Sequence, residues 1–128
     1  MKRAVIMFIA VLGVLMAAHV NADQNIGGVW RETSTSGIKD SIVVVSQDGA
    51  NLTLCSSWMN RGSQIVWHGR GSINGRQVTY KIKHTLYPAG WGVEGTHKLE
   101  LSGDGISMSG TWTNTKGESG PLKFERVR

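Results

Sequence analysis

Residues 63–84 read SQIVWHGRGSINGRQVTYKIKH, two alternating runs on either side of Asn74-Gly75. Ile65, Trp67 and Ile73 before the turn, and Val78, Tyr80 and Ile82 after it, fall on alternate positions. A period of two is the signature of strands with one buried and one wet face. Asn-Gly tolerates the positive φ that a two-residue type I′ turn needs at both central positions, so the stretch predicts a tight hairpin. The expected pairing sets Ile73 beside Arg76, Gly71 beside Val78, Gly69 beside Tyr80, Trp67 beside Ile82 and Ile65 beside His84. The large apolar side chains then share one face, and Tyr80 can lie over the space left by Gly69. The opposite face collects Ser72, Arg70, His68 and Val66 against Gln77, Thr79, Lys81 and Lys83, and a one-residue slip would exchange the two faces.

Working outward, Asp104-Gly105 treated the same way pairs Leu101 with Met108, Leu99 with Gly110 and His97 with Trp112. At Gln47-Asp48-Gly49 a three-residue loop pairs Val44 with Leu52, Ile42 with Leu54 and Ile38 with Trp58, although Val43 and Val45 make a two-residue loop nearly as good. The last strand turns Leu122, Phe124 and Arg126 one way and Lys123 and Glu125 the other. No apolar stripe holds a helical period for three turns, while glycine-bearing turns recur at the spacing of an all-β fold. Strands are predicted at 28–34, 38–46, 51–58, 63–73, 76–84, 94–102, 106–114 and 121–128. The fold class is therefore all-β, as a closed eight-stranded antiparallel up-and-down barrel, a meander whose first and last strands pair and leave no edge.

Such a meander sorts its connections into two groups. The three Asp-Gly or Asn-Gly turns share one end. The other end receives longer connections: 35–37, 59–62, 85–93 and 115–120. Trp58, Met59 and Arg61 border the second of these, and Tyr87, Pro88 and Trp91 lie in the third. A narrow closed end and a wider functional end follow.

The chain has 128 residues, 40% hydrophobic and 18% charged, enough for one core and too few for two. Residues 1–22 open on Lys2-Arg3, run apolar from Ala4 to Ala18 and reach Val20-Asn21-Ala22, the charge, length and exit chemistry of a secretory signal peptide. The rest, 23–128, is read as a single β-barrel domain, secreted or periplasmic, with no transmembrane span once the leader is removed. A lipid-facing outer-membrane barrel is excluded by the outward row Ser72, Arg70, His68, Lys81 and Lys83. Fourteen Lys and Arg against nine Asp and Glu give +5, a mild excess without a like-charge run, so no nucleic-acid partner is expected. Cys55 is the single cysteine, so no internal disulfide is available, and a buried inert thiol is the plain reading.

Gly28-Val29-Trp30 on the first strand and Arg126 on the last meet at the tight-turn end of a closed meander. This arrangement resembles the calycin group of lipocalins and avidins, in which a Gly-x-Trp plugs the closed end of the barrel and an arginine covers the indole. The resemblance implies that Trp30 and Arg126 form a structural plug at the closed end. Glu32, on the same face as Trp30, could partner the guanidinium. Residues 109–114, SGTWTN, look like the opening strand of avidins but fall on the seventh strand here, so biotin binding is not carried over.

His84 and His97 face inward near the wide end, in reach of Trp58, Tyr87, Trp91 and Trp112. With Arg61 they form the candidate ligand-binding set, for a small apolar or aromatic ligand held by ring faces and oriented by the imidazoles. The alternative is a barrel filled by its own side chains, serving as an interaction module for a protein or glycan through exposed aromatics. A metal centre on His84 and His97 lacks a third ligand, since His68 faces outward and Glu94 has the wrong parity. Serines are plentiful but none sits in a Gly-x-Ser-x-Gly elbow, and paired carboxylates are not evident, with Asp40 and Glu32 the acids near the wide half. The reading is of a binding protein rather than an enzyme, with no catalytic residue, metal or cofactor assigned.

Overall fold

The structure, a computed structural model, describes residues 24–34 and 39–128. The leader read over residues 1–22 and the strand residue Ile38 lie outside the described residues. Eight strands follow one another: β1 (Gly28–Glu32), β2 (Lys39–Asp48), β3 (Asn51–Asn60), β4 (Ser63–Asn74), β5 (Gln77–Leu86), β6 (Glu94–Leu101), β7 (Ser107–Asn114) and β8 (Ser119–Arg126). Each pairs antiparallel with the next, and β8 returns to β1, with Trp30 opposite Arg126 and Glu32 opposite Phe124. The protein is an all-β, closed, eight-stranded up-and-down barrel without a helix among the described residues.

The registers agree with the sequence where one face alone is apolar. In β6–β7, Leu101 pairs with Met108, Leu99 with Gly110 and His97 with Trp112, as expected. In β4–β5 the faces are as expected but the partners slide by two: Ile73 meets Val78, Gly71 meets Tyr80 and Trp67 meets His84. The turn is Gly75-Arg76 rather than Asn74-Gly75, with φ of 59° at Gly75 and no positive φ at Arg76. Glycine at the first central position is what a type II′ turn asks for, and a slide of two preserves side-chain parity. The direct neighbour of Tyr80 is thus Gly71, where an added Cβ would lie 2.5 Å from Tyr80 Cα.

In β2 the expected parity is reversed. Asp48 pairs with Asn51 around Gly49-Ala50, so Val43 and Val45 are buried while Val44 is 45% exposed. Residues 42–45 are apolar on both faces, so the pattern could not choose, and the tighter turn, with Gly49 at φ 59°, chose instead. A second correction concerns 59–62, expected as a longer connection. Asn60 pairs with Ser63 across Arg61-Gly62, whose φ values of 48° and 81° are both positive, as a two-residue type I′ turn requires. Cys55 is exposed rather than buried, flanked in the sheet by Val44 and His68. The inward parity of Leu52 and Leu54 obliges it to point out.

The closed end is sealed by residues 24–27. Ile26 and Trp30 are wholly buried, and the indole N–H of Trp30 donates to the Ile26 carbonyl at 2.9 Å. Gln47 accepts from the Ile26 N–H at 2.7 Å and donates to the carbonyls of Gln24 and Gly49. The Arg126 guanidinium lies 4.6 Å from the centroid of the Trp30 ring and donates to the carbonyls of Asn25, Gly27 and Gly105. Glu32 is not its partner. It accepts instead from Ser34 and Ser41, both at 3.0 Å, toward the opposite end. The turns of the closed end are stitched together, Ile73 N–H to Ala50 and Leu101 N–H to Arg76. The adjoining core of Val43, Val45, Leu54, Val78, Leu99, Leu101, Met108 and Phe124 fills this half of the barrel.

Candidate functional site

The other half is hollow. A cavity of about 470 Å³ opens at the end of the connections following β1, β3, β5 and β7, a volume in the range of small-molecule sites. Four tryptophans line it: Trp58 near the end of β3, Trp67 within β4, Trp91 in the β5–β6 connection and Trp112 on β7. Each strand tryptophan is inward by parity with apolar neighbours deeper in the same strand, so the sheet pattern that builds the core also delivers the rings. Gly120 on β8 makes room for Trp112: a Cβ there would sit 2.7 Å from the indole nitrogen.

Residues 87–93 fold over the mouth. The Trp91 ring lies 5.6 Å from that of Trp58, tilted by 48°, and meets His84 edge-on at 5.8 Å. His84 holds the connection from below: its backbone N–H donates to the Val93 carbonyl at 2.7 Å, and its Nδ1 lies 3.0 Å from the Gly92 carbonyl. A carbonyl only accepts, so Nδ1 carries the proton. Burial lowers the His84 pKa, with the Gly92 and Val93 carbonyls opposing the shift, and the ring is neutral at pH 7. Lys116 ties the connection from the neighbouring turn through the Gly90 carbonyl. That turn is organised by Asn114, whose Oδ1 accepts from the N–H groups of Lys116 and Glu118 while Nδ2 donates to the Glu118 carboxylate.

At the inner side of the cavity stands His97, 7% exposed, with Nδ1 3.0 Å from the Tyr80 hydroxyl. Trp67 stacks on Tyr80 at 6.0 Å and meets His97 edge-on at 5.5 Å, so both polar groups are enclosed by rings. Desolvation, aided by His84, pulls the His97 pKa down to about 3. Burial, aided by the Glu32 carboxylate, pushes the Tyr80 phenol well above its ordinary value. Both are therefore neutral across the physiological range.

Of the residues singled out in the sequence, Trp58, His84, Trp91, His97 and Trp112 line this one cavity. Arg61 does not; it is exposed in the β3–β4 turn. Tyr87 is also outside the lining, 38% exposed with its ring 6.2 Å from His84. The sequence pattern turns Trp67 and Leu122 to the apolar side of their strands without assigning them to the site, and it passes over Asn114, which shares the inward parity of β7. Glu32, Glu94 and Glu118 also line the cavity, so the acids near this end are more than Glu32 and Asp40. Among the described residues no group of three His, Cys, Asp or Glu could hold a metal ion. A shallower depression on the outer wall runs beside His68, Arg70, Lys81 and Lys83, all exposed. No helix among the described residues is long and apolar enough to cross a membrane.

Fold and site together define a class: a closed eight-stranded antiparallel barrel, solid at one end and hollow and aromatic at the other. No family model, curated protein or solved structure matches the chain.

Proposed function

We propose that the protein is an exported binding barrel that takes a small apolar or aromatic molecule into the cavity at its open end. The observation that carries this reading is the cavity of about 470 Å³ walled by Trp58, Trp67, Trp91 and Trp112. Ring faces bind flat apolar groups through dispersion and area removed from water, and a preformed cavity avoids the cost of opening one. The same volume speaks against a filled interior acting through surface aromatics alone. Kinship with the calycins is supported by Arg126 over Trp30 beside Gly28, and export by the composition of residues 1–22.

The test is a titration of the mature chain with neutral aromatic and alkyl compounds, read by tryptophan fluorescence and by calorimetry. At least one saturable ligand is expected, bound about tenfold more weakly by Trp91→Ala, in line with the loss of one aromatic wall. A panel without any saturable response would remove the reading. Export is tested separately by deleting residues 1–22, which should leave the chain inside the producing cell.

A further inference from the structure

The hydrogen bond between Tyr80 and His97 decides which proton His97 presents to the cavity, and with it the chemistry of the ligand. Tyr80 is 1% exposed, and His97 is the hydrogen-bond partner of its hydroxyl among the described residues. A buried hydroxyl that fails to donate costs more than one that donates. If His97 Nδ1 carried a proton, it would donate to the phenol oxygen and strand the phenolic hydrogen among rings. The arrangement that satisfies both groups has Tyr80 O–H donating to a bare Nδ1. Neutral imidazole carries one N–H, so the proton is on Nε2.

Among the described residues the second nitrogen has no hydrogen-bond partner, yet it is not sealed in: the one fully enclosed side-chain polar atom without a partner among them is the Ser56 hydroxyl. His97 lines the cavity, so Nε2–H opens onto it. The site thus holds an N–H donor fixed in direction by Tyr80 and set among indole faces. Glu32 apart, which has partners of its own, the charged side chains lining the cavity among the described residues are Glu94 and Glu118, with no lysine or arginine. A carboxylate or phosphate ligand would meet charge of its own sign.

We infer that the cavity is selective for a neutral aromatic molecule bearing a ring-nitrogen or carbonyl acceptor, which takes a hydrogen bond from His97 Nε2–H. This rests on the cavity being a ligand site. Quinoline and naphthalene separate the two ideas, because they share shape and area and differ by one ring nitrogen. At pH 8 quinoline is neutral, and the unmutated protein should bind it about fivefold more tightly than naphthalene, the effect of one net hydrogen bond. In His97→Phe the preference should fall to about onefold, and His97→Gln, which keeps an N–H donor, should restore part of it. Equal affinities in the unmutated protein, or no binding of either while another member of the aromatic and alkyl panel binds, overturn the inference and leave the cavity reading standing; a panel without any saturable response removes both. Independently of ligand and of variant folding, long-range proton–nitrogen NMR of 15N-labelled protein should find His97 protonated at Nε2 and bare at Nδ1. A proton on Nδ1 would overturn the inference.

Discussion

The Arg126 guanidinium covers the buried indole of Trp30 at 4.6 Å while its Nη1 and Nη2 groups donate to the carbonyls of Gly27 and Asn25, 99 and 101 residues away in the chain. One side chain thereby closes the barrel and pins the segment that lids it. Arg126→Ala should cost about 2 kcal/mol, from the lost cation–π contact and charge-assisted hydrogen bonds. Arg126→Lys should recover less than half, because an ammonium lacks the planar fork. Urea midpoints read both. Ligand binding at the far end should be unchanged in Arg126→Lys.

His84 holds the 87–93 connection through Gly92, and Trp91 N–H donates to Pro88 at 3.3 Å within it. His84→Ala should loosen the connection without unfolding the barrel. Amide exchange at Trp91 should accelerate about tenfold, the loss of roughly one hydrogen bond and its ring contact, while exchange at Val78 and Leu99 stays as it was. Uniform acceleration would show that His84 supports the whole core instead.

The His97 pKa near 3 makes stability depend on acid. Below the ordinary histidine value near 6.5 the unfolded chain takes a proton that the folded chain refuses, so stability falls as pH falls, down to about pH 3. Above pH 6.5 this group contributes no slope. From pH 7 to pH 5 the loss should be about 2 kcal/mol, with His84 adding in the same direction. His97→Gln should flatten the decline in urea midpoint over that window. An unchanged slope would assign it elsewhere.

Ser56 is 4% exposed and its hydroxyl has no partner among the described residues. An unbonded buried hydroxyl is a cost that alanine does not carry, so Ser56→Ala should be neutral or stabilise by about 1 kcal/mol. Thermal unfolding checks it, and a loss of more than about 1 kcal/mol would mean that the hydroxyl is satisfied in solution.

Alternation and turn residues alone determined the strand number, the antiparallel order and the faces of β4 to β8. In β6 and β7, His97, Leu99 and Leu101 alternate with Lys98 and Glu100, and one register alone buries the apolar set. Tertiary structure decided β2, where Val43 and Val44 are chemically equal and the pairing of β2 with β3 across the tight Gly49-Ala50 turn puts Val43 inside. It also decided the cavity. Whether eight inward rows fill a barrel or leave space depends on how far side chains from opposite walls reach, and that distance exists only once β8 has closed on β1. The sequence could name Trp58, His84, Trp91, His97 and Trp112, because parity is local. It could not set Trp67 among them, exclude Arg61, or show that Tyr80 orients His97, because those relations join strands whose separation is a property of the closed sheet.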